Sequence, residues 1–110
     1  MFLSDLATTS EKEAFISLAY LVAKADGSLG YSERTLIDLY MEDLKMDPAN
    51  HCILELPLST LCHRFSDTRT KQIVYANLLS LAHIENYDVK AKQYIIEYIQ
   101  NELCPEFGRS

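Results

Sequence analysis

The sequence predicts an all-α fold, a single-domain bundle of about five to seven helices with two apolar helices at its centre. Three observations predict it. Only three Gly and three Pro interrupt 110 residues, too few for a loop-rich or all-β chain. Apolar residues recur at helical spacing in every long segment. Cap-forming residues stand ahead of most of these segments. With 48% hydrophobic and 24% charged residues the composition is that of a globular protein. A chain of this length buries a core without disulfides, and residues 1–110 read as one domain.

Ser10-Glu11-Lys12-Glu13 reads as a capping box, with Ser10 as cap and Glu13 reaching back. The helix that follows carries Ala14, Phe15, Ile16, Leu18, Ala19, Leu21, Val22, Ala23 and Ala25, apolar nearly all round and therefore central. Gly27 supplies a helix-ending conformation. Ser32 is placed to cap a second helix with Leu36, Ile37, Leu39, Tyr40 and Leu44 on its inner side and the carboxylates Asp38, Glu42 and Asp43 on its outer one. Asp47-Pro48 ends it. The stretch from Asn50 to Pro57 reads as a helical turn and an extended connection, and Pro57 to Phe65 as a short helix. Asp67 caps a second apolar helix containing Ile73, Val74, Tyr75, Leu78, Leu81 and Ile84. After Asn86-Tyr87-Asp88, Val89 to Leu103 forms an amphipathic helix with Tyr94, Ile95, Tyr98 and Ile99 inward. Residues 105–110, with Pro105 and Gly108, read as a flexible tail.

A weak internal repeat underlies this order. A shift of about 58 positions lays Leu21 on Leu79, Ile37 on Ile95 and Tyr40 on Tyr98. In that register Asp26 falls on Ile84 and Glu33 on Ala91, so an acidic pair belongs to the first half alone.

Charge excludes several function classes. A net charge of −6 disfavours nucleic acid and anionic membranes, which need clustered Lys and Arg. The N-terminal MFLSDLATTSEKE lacks the basic and apolar regions of a signal peptide, and no stretch approaches the ~20 apolar residues of a membrane span. Three cysteines without framework spacing fit free thiols in a reducing, cytoplasmic setting.

The segment Leu21 to Tyr40 holds the candidate chemistry. Asp26 and Glu33 flank a tight turn between two helices. A carboxylate at a helix C-terminus opposes the macrodipole at a cost of ~0.3–1 kcal/mol, so Asp26 calls for a partner. Two readings stand. Asp26 accepts hydrogen bonds from turn N–H groups while Glu33 serves the next helix's dipole, or the two carboxylates bind a hard divalent cation, Ca or Mg. An EF-hand is rejected: with Asp26 and Glu33 at the fifth and twelfth loop positions, the first and third would be Val22 and Lys24.

The segment AKADGSLGYSE, between an apolar and an amphipathic helix, resembles the first-half signature of the TerB-like family, which takes in tellurite-resistance proteins and the N-terminal domains of DjlA-type membrane co-chaperones. The resemblance implies a helical domain of about this whole length. It also implies an acidic site at A-D-G-x-Φ-x-x-x-E, here Asp26, Gly27 and Glu33, and a role in metal sensing or in stress-response complexes. In the second half, His83-Ile84-Glu85-Asn86-Tyr87-Asp88 does not reproduce the motif, which argues against a paired metal centre.

Other candidates are weaker. His51-Cys52 and Cys62-His63 lack zinc-ligand spacing, and no third group orients a Cys–His nucleophile. Their thiols read as core packing. His83 suits a dipole contact at a helix C-terminus. No phosphate loop, Ser–His–Asp arrangement or H-E-x-x-H pattern occurs. Three functions remain: a cation-binding TerB-like module, a metal-independent adaptor docking a basic protein through Asp38, Glu42 and Asp43, and an enzyme of unrecognised type.

Overall fold

A helix with apolar side chains on nearly every side has to be enclosed by others, and α1 (Thr9–Ala23) is such a helix. The computed structural model describes residues 8–25, 30–46, 54–84 and 89–108. They form four further helices, α2 (Tyr31–Asp43), α3 (Leu58–Cys62), α4 (Thr68–Ala82) and α5 (Val89–Leu103), and a 3-10 turn over Pro105–Gly108. No strand occurs among the described residues. α1 packs against α2, α3, α4 and α5, with Phe15, Ile16, Leu18, Ala19 and Val22 wholly buried. α4 is the second central helix, packed on α1 and α5. The expected all-α bundle is the observed fold.

Caps set the helix limits, in places a step away from the sequence reading. The box at the start of α1 is Thr8 with Glu11: the Glu11 N–H donates to Thr8 Oγ1 at 3.1 Å and the Thr8 N–H to Glu11 Oε1 at 3.3 Å. The stretch TTSEKE contains two overlapping boxes, and the earlier one wins. Ser10 instead accepts from Arg64 at 2.8 Å, tying α1 to the end of α3. α1 stops at Ala23, not Ala25. α2 begins after Gly30 rather than Ser32. Asp67 caps α4 as expected, accepting from the Thr70 N–H at 3.1 Å.

α2 ends in a Schellman motif. The Met46 N–H donates to the Met41 carbonyl at 2.8 Å and the Lys45 N–H to that of Glu42 at 3.0 Å, and Met46 packs against the core as the motif's apolar contact. The left-handed position is held by Lys45, at φ 57°, where a Cβ is disfavoured.

Four side chains expected inside are outside. Leu21 is 40%, Leu39 51%, Tyr94 75% and Ile84 43% exposed. On α2 the inner row is Ile37, Tyr40, Met41 and Leu44, and on α5 it is Ile96, Ile99 and Leu103. Both helices carry more apolar residues than one face holds, so their facing depends on what they meet. Residues 105–108, read as tail, form the closing turn beside buried Cys104.

The helices also fix the internal repeat one position beyond the shift of about 58. The caps Thr8 and Asp67 then coincide, as do the C-caps Lys24 and His83. Buried residue falls on buried residue: Phe15 on Val74, Ala19 on Leu78, Val22 on Leu81, Ile37 on Ile96, Tyr40 on Ile99 and Leu44 on Leu103. In this register Asp26 aligns with Glu85 and Glu33 with Lys92. A carboxylate pair still occurs in the first half only.

One polar side chain works inside the core. Ser17, buried on α1, donates to the Glu13 carbonyl at 2.7 Å and accepts from the Leu54 N–H at 2.8 Å, so it pins the segment entering α3. Ser17→Ala leaves that N–H without this acceptor and is expected to cost about 1–3 kcal/mol. Lys45→Gly relieves the left-handed strain and is expected to stabilise by about 1 kcal/mol. Urea unfolding of both variants checks the two signs, and a Lys45→Gly midpoint below that of the parent would refute the strain argument.

Candidate functional site

The site predicted around the first turn divides between described and undescribed residues. Asp26 and Gly27 lie outside the described residues. Glu33 lies inside them, in the first turn of α2 and only 1% exposed. Its Oε1 accepts from the Gly30 N–H at 3.0 Å. Gly30 has no side chain to return the bond, and Glu33 caps the Gly30 N–H at this end of the helix, where a negative charge is favoured.

Lys24 and Val22 bear on the rejected calcium loop. Val22 is buried in α1, and the Lys24 ammonium lies 5.6 Å from the centre of the Tyr20 ring. The helix runs unbroken through the position where the first ligand would stand. Among the described residues no three His, Cys, Asp or Glu side chains converge as metal ligands.

The outer face of α2 is brought together as expected. Its inner side is fixed by Tyr40, whose ring meets Phe15 edge-on at 5.2 Å and whose hydroxyl donates to the Asn77 carbonyl at 2.8 Å. That contact joins α2 to α4 and sets the helix's rotation. Asp38, Glu42 and Asp43 consequently face out, all three exposed. They do not share one flank. Asp38 and Arg34 both act on the Tyr20 phenol, whose pKa is raised by burial and by Asp38 and lowered by Arg34, so they lie toward α1. Asp43 borders a small depression with Lys12 and Lys45. Glu42 lies between.

Sequence reasoning missed a groove on the remaining flank. Tyr31, Thr35, Leu36 and Leu39 of α2 and Ile84 after α4 line a hollow of about 190 Å³. Leu39 and Ile84 had been placed inside, and their exposure is what opens it. One signal for it was legible: Leu39 has carboxylates one position before and three and four after it, an unusual setting for a core leucine.

Of the thiols, Cys62 and Cys104 are buried. His51 and Cys52 lie outside the described residues. Burial, and then the Glu102 charge, push the Cys62 thiol up to about 12. Burial and Glu106, against Lys71, bring Cys104 to about 11. Neither forms a thiolate near neutral pH, which a nucleophile or a metal ligand needs. His63 pairs loosely with Glu102 at 3.5 Å. His83 caps α4 with Nδ1 3.0 Å from the Leu79 carbonyl. A carbonyl only accepts, so Nδ1 carries the proton.

No family model, curated protein or solved structure matches this chain. No helix among the described residues is long and apolar enough to cross a membrane.

The raised acidities make a pH prediction. Burial also lifts the Tyr40 phenol to about 12. Such groups hold their protons more tightly folded than unfolded. Their contribution is therefore whole below the ordinary values, 9.0 for the thiols and 10.0 for the phenol. It is lost as pH rises through those values toward about 11–12. The urea midpoint is expected to fall steadily above about pH 9, less steeply in Cys62→Ala; a midpoint level to pH 11 would contradict it.

Proposed function

We propose that this chain is a non-catalytic helical adaptor, of the TerB-like kind its first-half motif resembles, which docks a basic protein partner on the outer face of α2. One observation carries the reading. α2 packs chiefly against α1 and reaches α4 through Tyr40, and its other side presents Asp38, Glu42 and Asp43 beside half-exposed Leu39. Net charge of −6 favours a basic protein over nucleic acid. Buried thiols suit a cytoplasmic setting, and a place in a stress-response complex is what the TerB-like resemblance implies.

A second reading, a Ca or Mg site at Asp26 and Glu33, has in its favour the resemblance of the turn to the TerB-like acidic motif. Against it, one oxygen of Glu33 is already committed to the helix end.

Two experiments separate these readings. Reversing Asp38, Glu42 and Asp43 to Lys is expected to abolish affinity capture of a specific basic partner from source-cell extract, with the melting temperature changed by only a few degrees. Equal capture by the parent and reversed chains would end the adaptor reading. Titration with calcium, magnesium, manganese or zinc, followed by amide NMR, is expected to leave residues 25–34 unmoved. Shifts there that vanish in Asp26→Asn would establish the cation site instead.

A further inference from the structure

The groove beside the acidic face has dimensions and neighbours that define what fits it. At about 190 Å³ it falls below the ~300–1,000 Å³ of pockets that enclose small molecules. It suits one or two aliphatic side chains. Its walls are mostly apolar: Leu36, Leu39 and Ile84 with the ring of Tyr31, which is 85% exposed, joined by Ser32 and Thr35.

Charge then narrows the occupant. Residues three and four apart on a helix are neighbours, so Glu42 and Asp43 adjoin Leu39, while Asp38 stands on its α1 side. Arg34 stands one turn before Asp38, and Lys12 and Lys45 border the same depression as Asp43, but from Tyr31 to Lys45 four acids still outnumber two bases. α2 has no basic residue in its last turn, so the negative pole of its macrodipole adds to the carboxylates. A second copy of this chain would bring the same acids against their like, which costs specificity and affinity. An apolar side chain flanked by Lys or Arg is the complement.

Secondary structure settles the mode. Among the described residues there is no sheet edge to extend, and the hollow follows α2 from Tyr31 to Leu39. A ridge of side chains on a second helix packs into such a hollow. We propose that this groove receives an amphipathic helix of a partner protein, with an apolar residue seated between Leu36, Leu39 and Ile84 and basic residues set against Asp38, Glu42 and Asp43. The proposal deepens the adaptor reading and rests on it.

The test uses the full chain and a synthetic helical peptide of about 18 residues, five turns, with Leu along one face and Lys on both flanks. A second peptide has Glu in place of each Lys. The Lys peptide is expected to bind and to shift the amide signals of residues 31–43 and Ile84. Leu39→Asn, and separately the pair Asp38→Lys with Glu42→Lys, are each expected to weaken it about tenfold. Should Leu39→Asn melt early, Thr35→Lys at the same exposed wall replaces it. The Glu peptide is expected not to bind. Binding lost on charge reversal but untouched by Leu39→Asn and Thr35→Lys would overturn the groove while leaving the acidic adaptor standing. Indifference to all of these variants, or no binding at millimolar peptide, would overturn the groove. A dimer in sedimentation that Leu39→Asn dissolves would assign it to a second copy and overturn the proposal likewise.

Discussion

Enclosure of α1 is the constraint from which the remaining structure follows. Its apolar side chains point in nearly every direction, and all but Leu21 are largely removed from water, a gain of about 25 cal/mol per Å². No single partner helix covers such a surface, so α2, α3, α4 and α5 each contribute a stripe. The one buried hydroxyl on α1 is used rather than tolerated: Ser17 accepts from Leu54 and donates within its own helix. An unmatched hydroxyl there would forfeit about 1–3 kcal/mol. The entry to α3 is thereby registered on α1 by a polar contact inside an otherwise apolar shell.

The two halves solve this enclosure unequally. α1 and α4 carry equivalent buried rows, and so do α2 and α5. α5, however, also packs against α3 and α1, and the chain closes on it with a 3-10 turn. Among the described residues α2 has no such cover. The difference shows at equivalent positions: Leu39 is exposed where Tyr98 is half-buried. A degenerate repeat in which one half is covered and the other open leaves an apolar strip without any local fault in the sequence.

Most of the architecture was legible because helix periodicity and cap chemistry are local. Asp67 and Val89–Leu103 were placed correctly from sequence for that reason. What was not legible depends on packing. Thr8 and Ser10 offer equally good boxes, and only the contact between Ser10 and Arg64 distinguishes them. Gly30 begins α2 through the Glu33 carboxylate reaching back, a bond to the backbone that residue type does not advertise. Leu39 and Tyr94 sit on helices with surplus apolar residues, whose rotation is decided by contacts such as Tyr40 to Asn77. Of the acidic site, Glu33 was found at a helix start as the spacing implied. The split of Asp38 from Asp43 across the crest of α2 needed the third dimension.

The C-terminal end of α2 breaks two local rules at once. Glu42 and Asp43 stand where the macrodipole favours cations, a cost of ~0.3–1 kcal/mol each at an exposed site, and Lys45 occupies a left-handed position that glycine would take with less strain. A glycine there would remove the strain and also one of the two cations, Lys12 being the other, that border Asp43. Lys45 thus keeps a cation near these acids at a cost in backbone ease. Sequences depart from local preference in this manner where function sets the residue rather than folding. Nothing in the core requires carboxylates at these exposed positions, since Met41, Leu44 and Met46 already close the helix end. The departure falls on the turn that adjoins the open groove, and that coincidence is what ties the acidic residues to the exposed leucine rather than to the stability of the bundle.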